Sequence, residues 1–467
     1  MVAELQTTDD RISALTAHTW APQPAPAKWV QSVLEDAVRR SPFLATLRRR
    51  LFDETGTRLL DWIDHFALPG NDEALNGLAQ VGYETDASVP KIRAWKHSLG
   101  LFPRVRTHVG KSRQVLLKVE SVVDFLAAHK LIGVAIQGPD LAAVRRVRVA
   151  QENGIDVWVL ERHGSLAFEP DFNKTVPLAA IAKYLEVFRQ RQREFANEAD
   201  GFALAGQLVD AAIAEIGRDR TCELFFTAER DYWQQRNRAG QIQRSRQELL
   251  GLGWANHDHH TYRSSRAQFG RLIAFLEKLG FQLRERFYAG LEAGWGAQVL
   301  EHPVTGVTIF ADVDLSPEEV SQDFSHEPLL PREELGTVGL WCELHGEAFL
   351  QAGLHHLECQ FDFAATRDQL TAAGIESMLP FTDLPYLRQA FTRGETWEVK
   401  PERIERLLAS KFITSEQAQQ FLSNGTIGSH LEILQRDDGY KGFNQRGISE
   451  IISATDPRRM GTAGLIV

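Results

Sequence analysis

The sequence predicts an α+β fold in which paired β-α-β-β-β modules form an open barrel, preceded by an α-rich N-terminal domain. A strand rich in histidine begins at Trp254 and is followed by an amphipathic helix and further strands, and the same order begins again at Gly353. The alternating run Gly428–Arg436 carries Glu432 between apolar neighbours and ends the second module. The predicted fold class therefore depends on an internal repeat in the order of strands and helices.

Length and composition are those of a globular protein with more than one domain. The 467 residues are 43% hydrophobic and 24% charged, and the formal net charge of -10 argues against a general nucleic-acid or anionic-membrane surface. No apolar run approaches the roughly 20 residues of a membrane span, and the N-terminus lacks a signal-peptide pattern. The three cysteines form neither a metal-type pair nor a disulfide framework, so a reducing cytoplasm is the expected compartment.

Two domains are predicted, one over residues 1–215 and a catalytic one over residues 216–467. The first combines helical periodicity with strand-like runs around His65 and over Ile155–Glu161, which could form a degenerate copy of the later modules. The second contains the two modules, at about 254–315 and 353–456. The role of the first 200 residues and the oligomeric state stay open.

The first module opens on a strand-like segment, Trp254–Arg263, that is crowded with polar side chains. Such a strand is costly to bury unless its side chains bind something. Ser264 or Ser265 is expected to cap the next helix, whose apolar positions lie on one face and which ends at Gly280. The strands that follow are predicted over residues 282–288, 296–300 and 307–313.

The second module opens at Gly353 with a strand that contains His355 and His356. Asp362 is a suitable N-cap for the following helix, and the module ends at the strand that carries Glu432. Equivalent strands of paired modules would bring the histidines of the first strands and the carboxylate of the last strand into one barrel-like cavity. The sequence therefore places a potential metal site between the modules.

Two neutral imidazoles and one carboxylate on one face of a divalent ion leave three coordination positions open. This arrangement suits Fe(II) and dioxygen chemistry with a chelating substrate. The candidates are one histidine of the cluster His257, His259 and His260, together with His356 and Glu432. No local motif joins them, so the hypothesis depends on the geometry of the repeat.

Each of these residues has an ordinary structural alternative. A lone histidine beside apolar residues is more often packed in the core or exposed than bound to a metal, and Glu432 could pair with Arg436. Strand alternation predicts that His257 and His259 point to one face and His260 to the other. Whether His257 or His260 replaces His259 as a ligand stays open at this point.

The run His430–Arg436, followed by Gly439 and Gly442-Phe443-Asn444, resembles the C-terminal signature of the 4-hydroxyphenylpyruvate dioxygenase family. The resemblance implies that Glu432 binds iron and that the segment Gly439–Asn444 is a lid. Gly353–Leu357 resembles a histidine-bearing strand of the same family, which implies His356 as a second ligand. That family belongs to the vicinal-oxygen-chelate superfamily, which is built from β-α-β-β-β modules.

A second resemblance is to the 2-oxoadipate dioxygenase/decarboxylase family. His259–Arg263 and the helix after it resemble that family's first iron-binding run, which implies His259 as a ligand and Arg263 as a clamp for a substrate carboxylate. Tyr386–Phe391 resembles another run of the family, which implies that Arg388 and Gln389 face the pocket.

Together the resemblances imply a non-haem Fe(II)-dependent dioxygenase, an oxidoreductase that decarboxylates and hydroxylates a 2-oxo acid with O2. One alternative is a glyoxalase-like isomerase or lyase on the same fold, with a redox-silent divalent metal and Glu301 or Gln298 as a fourth ligand. A further alternative is a non-catalytic binding protein. No nucleic-acid or membrane partner is expected, and the substrate is not identified.

Overall fold

A computed structural model describes residues 20–89, 91–173, 176–291, 293–382, 384–444 and 456–459. In these ranges the chain forms two curled β-sheets, each with helices packed on one face. The α+β class with paired β-α-β-β-β modules is confirmed. Residues 445–455, which the predicted second module includes, lie outside the described ranges.

The first sheet has seven strands in the order β2-β3-β4-β1-β5-β7-β6. They are β1 (Ile63–Pro69), β2 (Glu84–Thr85), β3 (Ala94–Lys96), β4 (Arg104–His108), β5 (Arg113–Lys118), β6 (Val144–Glu152) and β7 (Ile155–Arg162). The helices Pro24–Arg40, Pro42–Arg50 and Val122–Ala128 pack on one face of the sheet through a buried apolar cluster. We call the other face of each sheet its inner face.

Four helices follow the first sheet along the chain, Leu178–Arg189, Glu198–Ile216, Arg218–Gln234 and Arg238–Glu248. All four contribute to the same apolar core as the second sheet. The division into domains at residue 215 stays a prediction.

The second sheet has eight strands, seven of them in the order β13-β15-β12-β8-β11-β10-β9, with β14 paired to β15. The strands are β8 (His257–Arg263), β9 (Gln282–Tyr288), β10 (Trp295–Glu301), β11 (Thr308–Asp314), β12 (His356–Gln360), β13 (Leu387–Phe391), β14 (Glu395–Trp397) and β15 (Thr426–Arg436). The helices of this region are Phe269–Leu279, Pro317–Val320, Thr337–His345, Phe363–Ala372, Pro401–Ala409 and Ser415–Asn424.

The helix caps that the sequence predicts are present in part. Gly280 ends its helix with a φ of 106°, in the left-handed region that glycine tolerates, and Asp362 caps the helix of the second module. The expected cap at Ser264 or Ser265 is wrong, because the helix begins only at Phe269. Both serines instead donate hydrogen bonds to a buried glutamate, Glu347.

The strand order explains where a site can form. In each β-α-β-β-β module the last strand returns to lie parallel beside the first, as β11 does beside β8 and β15 beside β12. The two first strands, β8 and β12, form an antiparallel pair at the centre of the sheet. Side chains from β8, β12 and β15 therefore meet on the inner face.

A buried ion cluster fixes the helix Arg218–Gln234 to the second sheet. The carboxylate of Glu229 accepts hydrogen bonds from Arg191 (3.0 Å) and Arg193 (2.6 Å), and from the Tyr262 hydroxyl of β8 (2.8 Å). Glu229 is fully buried, with 1% of its surface exposed, so its partners have no access to water as a substitute.

We expect Glu229→Ala to lower the free energy of unfolding by about 3–5 kcal/mol, because two buried guanidinium groups lose their counter-ion. Glu376→Ala removes the partner of Arg393 from an exposed ion pair and is the control, with an expected change below about 1 kcal/mol. Urea denaturation followed by tryptophan fluorescence measures both variants. Equal, small losses would contradict a structural role for the Glu229 cluster.

Candidate metal centre

The three side chains predicted as metal ligands meet on the inner face at the centre of the second sheet. His259 lies on β8, His356 on β12 and Glu432 on β15, and one donor atom of each lies within 4.8 Å of the other two. Glu432 Oε2 is 3.2 Å from His356 Nε2 and 4.0 Å from His259 Nε2. With bonds of about 2 Å to each donor, one divalent ion fits among them.

A β-bulge decides which histidine of β8 faces this site. One extra residue of β8 opposes β12 between His257 and His260, so the strict alternation of side chains is interrupted. The rings of His257 and His260 lie 5.3 Å apart, and His260 contacts Arg230 of a helix on the other face. The expectation that His257 and His259 share a face is therefore wrong, and His259 is the histidine of the three that reaches the site.

Asp258 orients His259. Its carboxylate lies 3.3 Å from His259 Nδ1 and accepts two hydrogen bonds from Arg436, of 3.0 and 3.1 Å. Burial opposes the charge of Asp258, but the Arg436 guanidinium holds the pKa of this carboxyl far below its usual range. An ionised Asp258 favours the proton on Nδ1 and leaves the Nε2 lone pair of His259 free to bind a metal.

Both histidines of the candidate site are neutral at physiological pH. Burial lowers the pKa of His259 to about 4 and that of His356 well below its usual value. His356 Nε2 lies 2.7 Å from the Thr261 hydroxyl, which a bound metal would replace as the partner of this nitrogen.

Gln389 positions the carboxylate. Its Nε2 donates a hydrogen bond of 3.0 Å to Glu432 Oε1, and the Gln389 side chain lies on β13 beside β15. Burial raises the pKa of Glu432 to about 8. In such a buried place the ionised carboxylate needs a nearby cation to be stable.

Glu358 is a site residue that the sequence analysis missed. It follows His356 by two residues on β12, so alternation places both on the inner face, a signal that was available in the sequence. Its Oε2 lies 2.5 Å from His259 Nε2, and its Oε1 lies 3.8 Å from Arg436 Nη2. Burial and the neighbouring Glu432 raise the pKa of Glu358 well above its usual value. Two adjacent buried carboxylates are the environment that a divalent cation stabilises.

A small cavity of about 60 Å³ opens beside the three donors. Its lining includes Asp312 and Gln389 together with the aromatic side chains Phe287, Trp295, Phe310, Phe381, Phe391 and Phe443. The volume has room for a few water molecules and none for an organic substrate, so the wall must move for a substrate to bind.

The segment Gly439–Asn444, predicted to be a lid, covers this cavity. The Phe443 ring lies 5.2 Å from the His259 ring and 4.4 Å from the Phe310 ring, in both cases edge to face. Arg436 Nη1 donates to the carbonyl oxygens of Tyr440 (3.2 Å) and Gly442 (2.5 Å). The arginine that fixes Asp258 therefore also fixes the segment over the site.

The two predicted arginines lie differently. Arg388 is exposed on the face of β13 opposite to Gln389, because side chains alternate along a strand, so it does not reach the cavity and its expected role there is wrong. Arg263 lies on the inner face beyond Thr261, with 3% of its surface exposed. Its Nε and Nη1 have no hydrogen-bond partner among the described residues. Burial lowers the pKa of Arg263, and Asp312 is the acidic residue that opposes this lowering most strongly.

The fourth-ligand alternatives, Gln298 and Glu301, are occupied elsewhere. Gln298 pairs with Ala311 on the helix-covered face and accepts a hydrogen bond from Ser325. Glu301 forms an ion pair of 2.9 Å with Lys441. Within the described part of the chain, Glu301 belongs to no group of histidine, cysteine and carboxylate donors placed to hold one ion.

Comparison with known proteins gives likenesses of structure only. No family model matches the chain, and no curated protein matches it significantly. Similar solved structures include methylmalonyl-CoA epimerase from Mycobacterium tuberculosis (13% identity, 39% of this chain and 88% of the epimerase, TM-score 0.23). A variant of 4-hydroxymandelate synthase from Streptomyces coelicolor is 13% identical over 74% of this chain and 97% of the synthase, with a TM-score of 0.30.

A fusion protein of a xylose isomerase-like TIM barrel and 4-hydroxyphenylpyruvate dioxygenase is 12% identical over 89% of this chain and 57% of the fusion, with a TM-score of 0.25. Identities and TM-scores this low assign neither a family nor an activity to the chain. None of the helices in the described ranges is long and apolar enough to cross a bilayer.

Asp312, in the wall of the cavity, gives a pH-dependent prediction. Its side chain is 2% exposed, and burial raises its pKa from 3.8 to about 8. The folded state therefore binds this proton more tightly than the unfolded state. The stability contributed by Asp312 is fully present below pH 3.8 and is lost as the pH rises through about 8.

We expect the melting temperature of the metal-free wild type to fall, relative to that of Asp312→Asn, as the pH is raised from about 5 to about 8.5. The asparagine keeps the volume and removes the titration. Differential scanning calorimetry across this range compares the two proteins. Parallel curves would contradict the assignment of a raised pKa to Asp312.

Proposed function

We propose that the chain is a non-haem Fe(II)-dependent dioxygenase acting on a 2-oxo acid, with His259, His356 and Glu432 as the iron ligands. The observation that carries the proposal is the convergence of these three donors, from three neighbouring strands, beside one cavity. Two imidazoles and one carboxylate on one side of an ion leave positions for a chelating substrate and for O2. We also propose that residues 216–467 form the catalytic domain.

The fit between these residues and Fe(II) is chemical as well as geometric. Neutral imidazole and carboxylate donors suit this ion, and the buried pair Glu358 and Glu432 supplies negative charge that a divalent cation would balance. When bound, iron would supply redox chemistry with O2 and two adjacent positions for the 2-oxo and carboxylate oxygens of the substrate.

The protein's own groups would perform the remaining tasks. Asp258 holds the Nδ1 proton of His259, and Gln389 fixes one oxygen of Glu432, so both ligands are oriented before the ion binds. The aromatic wall would limit the access of bulk water to the reacting groups once a substrate is bound. Arg263 is buried, and its Nε and Nη1 have no partner among the described residues. We propose that this guanidinium group, which interacts with Asp312 of the cavity wall, attracts a second carboxylate of the substrate.

A redox-silent isomerase or lyase is the second candidate. Glu358 favours it, because its contact with His259 offers a fourth protein ligand and a metal with four protein ligands has fewer positions for substrate and O2. The two functions differ in their need for oxygen, which makes them separable by experiment.

We expect His356→Ala and Glu432→Ala each to weaken Fe(II) binding at least about 100-fold, because each removes one of three ligands. His355→Ala is the matched control. Its neighbouring ring points away from the site and contacts the Gly428 carbonyl at 3.0 Å, so affinity should stay within about threefold of the wild type. Anaerobic titration with Fe(II), read by competition with a chromophoric chelator, measures all three. Unchanged affinity in Glu432→Ala would overturn the ligand set.

Oxygen consumption separates the two functions. The iron-loaded wild type should couple O2 uptake to CO2 release from a 2-oxo acid in a panel of mono- and dicarboxylic substrates. An oxygen electrode follows the consumption of O2 and a carbonate assay follows the release of CO2 in the same reaction. Turnover under nitrogen with Zn(II) or Ni(II), without O2 uptake under air with Fe(II), would instead establish the isomerase or lyase.

A further inference from the structure

The first sheet repeats the construction of the metal centre at its own centre. Its middle strands, β1 and β5, form an antiparallel pair with an extra residue at the same place on the first strand as in β8 and β12. Counted from this bulge, Asp64-His65 takes the place of Asp258-His259. Asp64 lies 2.6 Å from His65 Nδ1 and pairs at 2.7 Å with Arg162, which stands on β7 where Arg436 stands on β15.

The other ligand positions of this copy carry different residues. The strand pairing places Gln114 where the second sheet has His356, Leu116 where it has Glu358, and Trp158 where it has Glu432. One histidine is the only donor of the proposed ligand set that the copy retains. The first sheet therefore cannot hold a metal in the way proposed for the second.

A guanidinium group lies where the copy would have its metal. Arg106 Nε donates a hydrogen bond of 3.3 Å to His65 Nε2, the atom that corresponds to the proposed metal-binding nitrogen of His259. Burial lowers the pKa of His65 to about 3, so the ring is neutral and accepts this bond. The inner face of the first sheet thus keeps a positive charge at the same place, but the charge belongs to the protein.

One carboxylate binds to this charge. Glu169 Oε1 lies 2.7 Å from Arg106 Nη2, and Glu169 Oε2 contacts Arg146 Nη2, so each oxygen meets a different guanidinium. The Glu169 side chain is 40% exposed, whereas that of Arg106 is 6% exposed. The Glu169 carboxylate therefore approaches from the solvent side and contacts guanidinium groups on the inner face of the first sheet.

The inner face of the first sheet also contains buried hydrogen-bond donors without partners among the described residues. Among the described residues, Arg146 Nη1 and Trp158 Nε1 are buried and have no hydrogen-bond partner, and the two residues are 9% and 7% exposed. The guanidinium groups of Arg146 and Arg148 lie 4.7 and 5.9 Å from the centre of the Trp158 ring. Buried donors of this kind are costly unless a ligand accepts their hydrogen bonds.

We propose that the inner face of the first sheet is a binding site for a small organic carboxylate, and that Glu169 occupies this site when no ligand is bound. Arg106 and Arg146 would each bind one oxygen of the ligand, in the planar arrangement that guanidinium groups favour. Trp158 would provide a flat apolar wall for the carbon body and an N–H group for a further oxygen. The site is independent of the metal centre and of the activity proposed for it.

The experiment removes the internal competitor. Full-length wild type and Glu169→Ala are titrated with sodium propionate by isothermal calorimetry, at constant ionic strength set with sodium chloride, and with sodium phosphate as a second arm. Glu169→Ala should bind propionate at least about tenfold more tightly than the wild type, because the ligand no longer displaces a tethered carboxylate. Glu169→Gln, which keeps the volume and loses the charge, replaces the alanine variant if the latter does not fold.

Two further variants make the result specific. Arg146→Met in the Glu169→Ala background should abolish the gain. Asp36→Ala is the matched control, because Asp36 also joins several arginines away from this face, Arg39 at 2.5 Å, Arg40 at 3.0 Å and Arg113 at 3.1 Å. No gain in Glu169→Ala, an equal gain in Asp36→Ala, or a gain that survives Arg146→Met would overturn the proposal. Tighter binding of phosphate than of propionate would overturn the assignment of the ligand as a carboxylate.

Discussion

The buried ion pair between Arg436 and Asp258 is the interaction on which the candidate metal centre depends. It keeps Asp258 ionised, so that this carboxylate fixes the proton on the far side of the His259 ring. The same guanidinium donates to the carbonyl oxygens of the segment that closes the cavity. Loss of this one pair would therefore disturb both a proposed metal ligand and the segment that covers the cavity.

Burial of charge is the second constraint. Glu358 and Glu432 lie side by side on parallel strands, away from water, and Arg436 is already committed to Asp258. In a folded chain such carboxylates either keep their protons or bind a cation. The first sheet avoids this constraint, because Leu116 and Trp158 occupy the two corresponding positions. An arginine, Arg106, lies there in place of an ion. A positive charge thus lies beside His65 in the first sheet, and the ion proposed for the second sheet would lie beside His259 in the same way.

The fold class could be predicted from periodicity, because the repeated strand-helix order predicted the modules. Alternation around Glu432 predicted the direction of that carboxylate, whereas His259 and His356 were favoured by resemblance to known families. One feature could not be predicted from the sequence, and two side chains were misjudged although alternation predicts their directions. The bulge in β8 depends on pairing with β12, which no local pattern reveals, and it reversed the expected direction of His257. Arg388 was assigned by resemblance although alternation with Gln389 points it outward, and Glu358 was missed although alternation with His356 predicts its direction.

The central claim is that one ion binds among His259, His356 and Glu432. Anomalous diffraction at the iron edge, from crystals grown with Fe(II) under anaerobic conditions, tests it most directly. The account predicts a single strong peak about 2 Å from His259 Nε2, His356 Nε2 and a carboxylate oxygen of Glu432, and none beside His65. A peak held instead by Asp258, His259 and Glu358, or no peak in the second sheet, would contradict it.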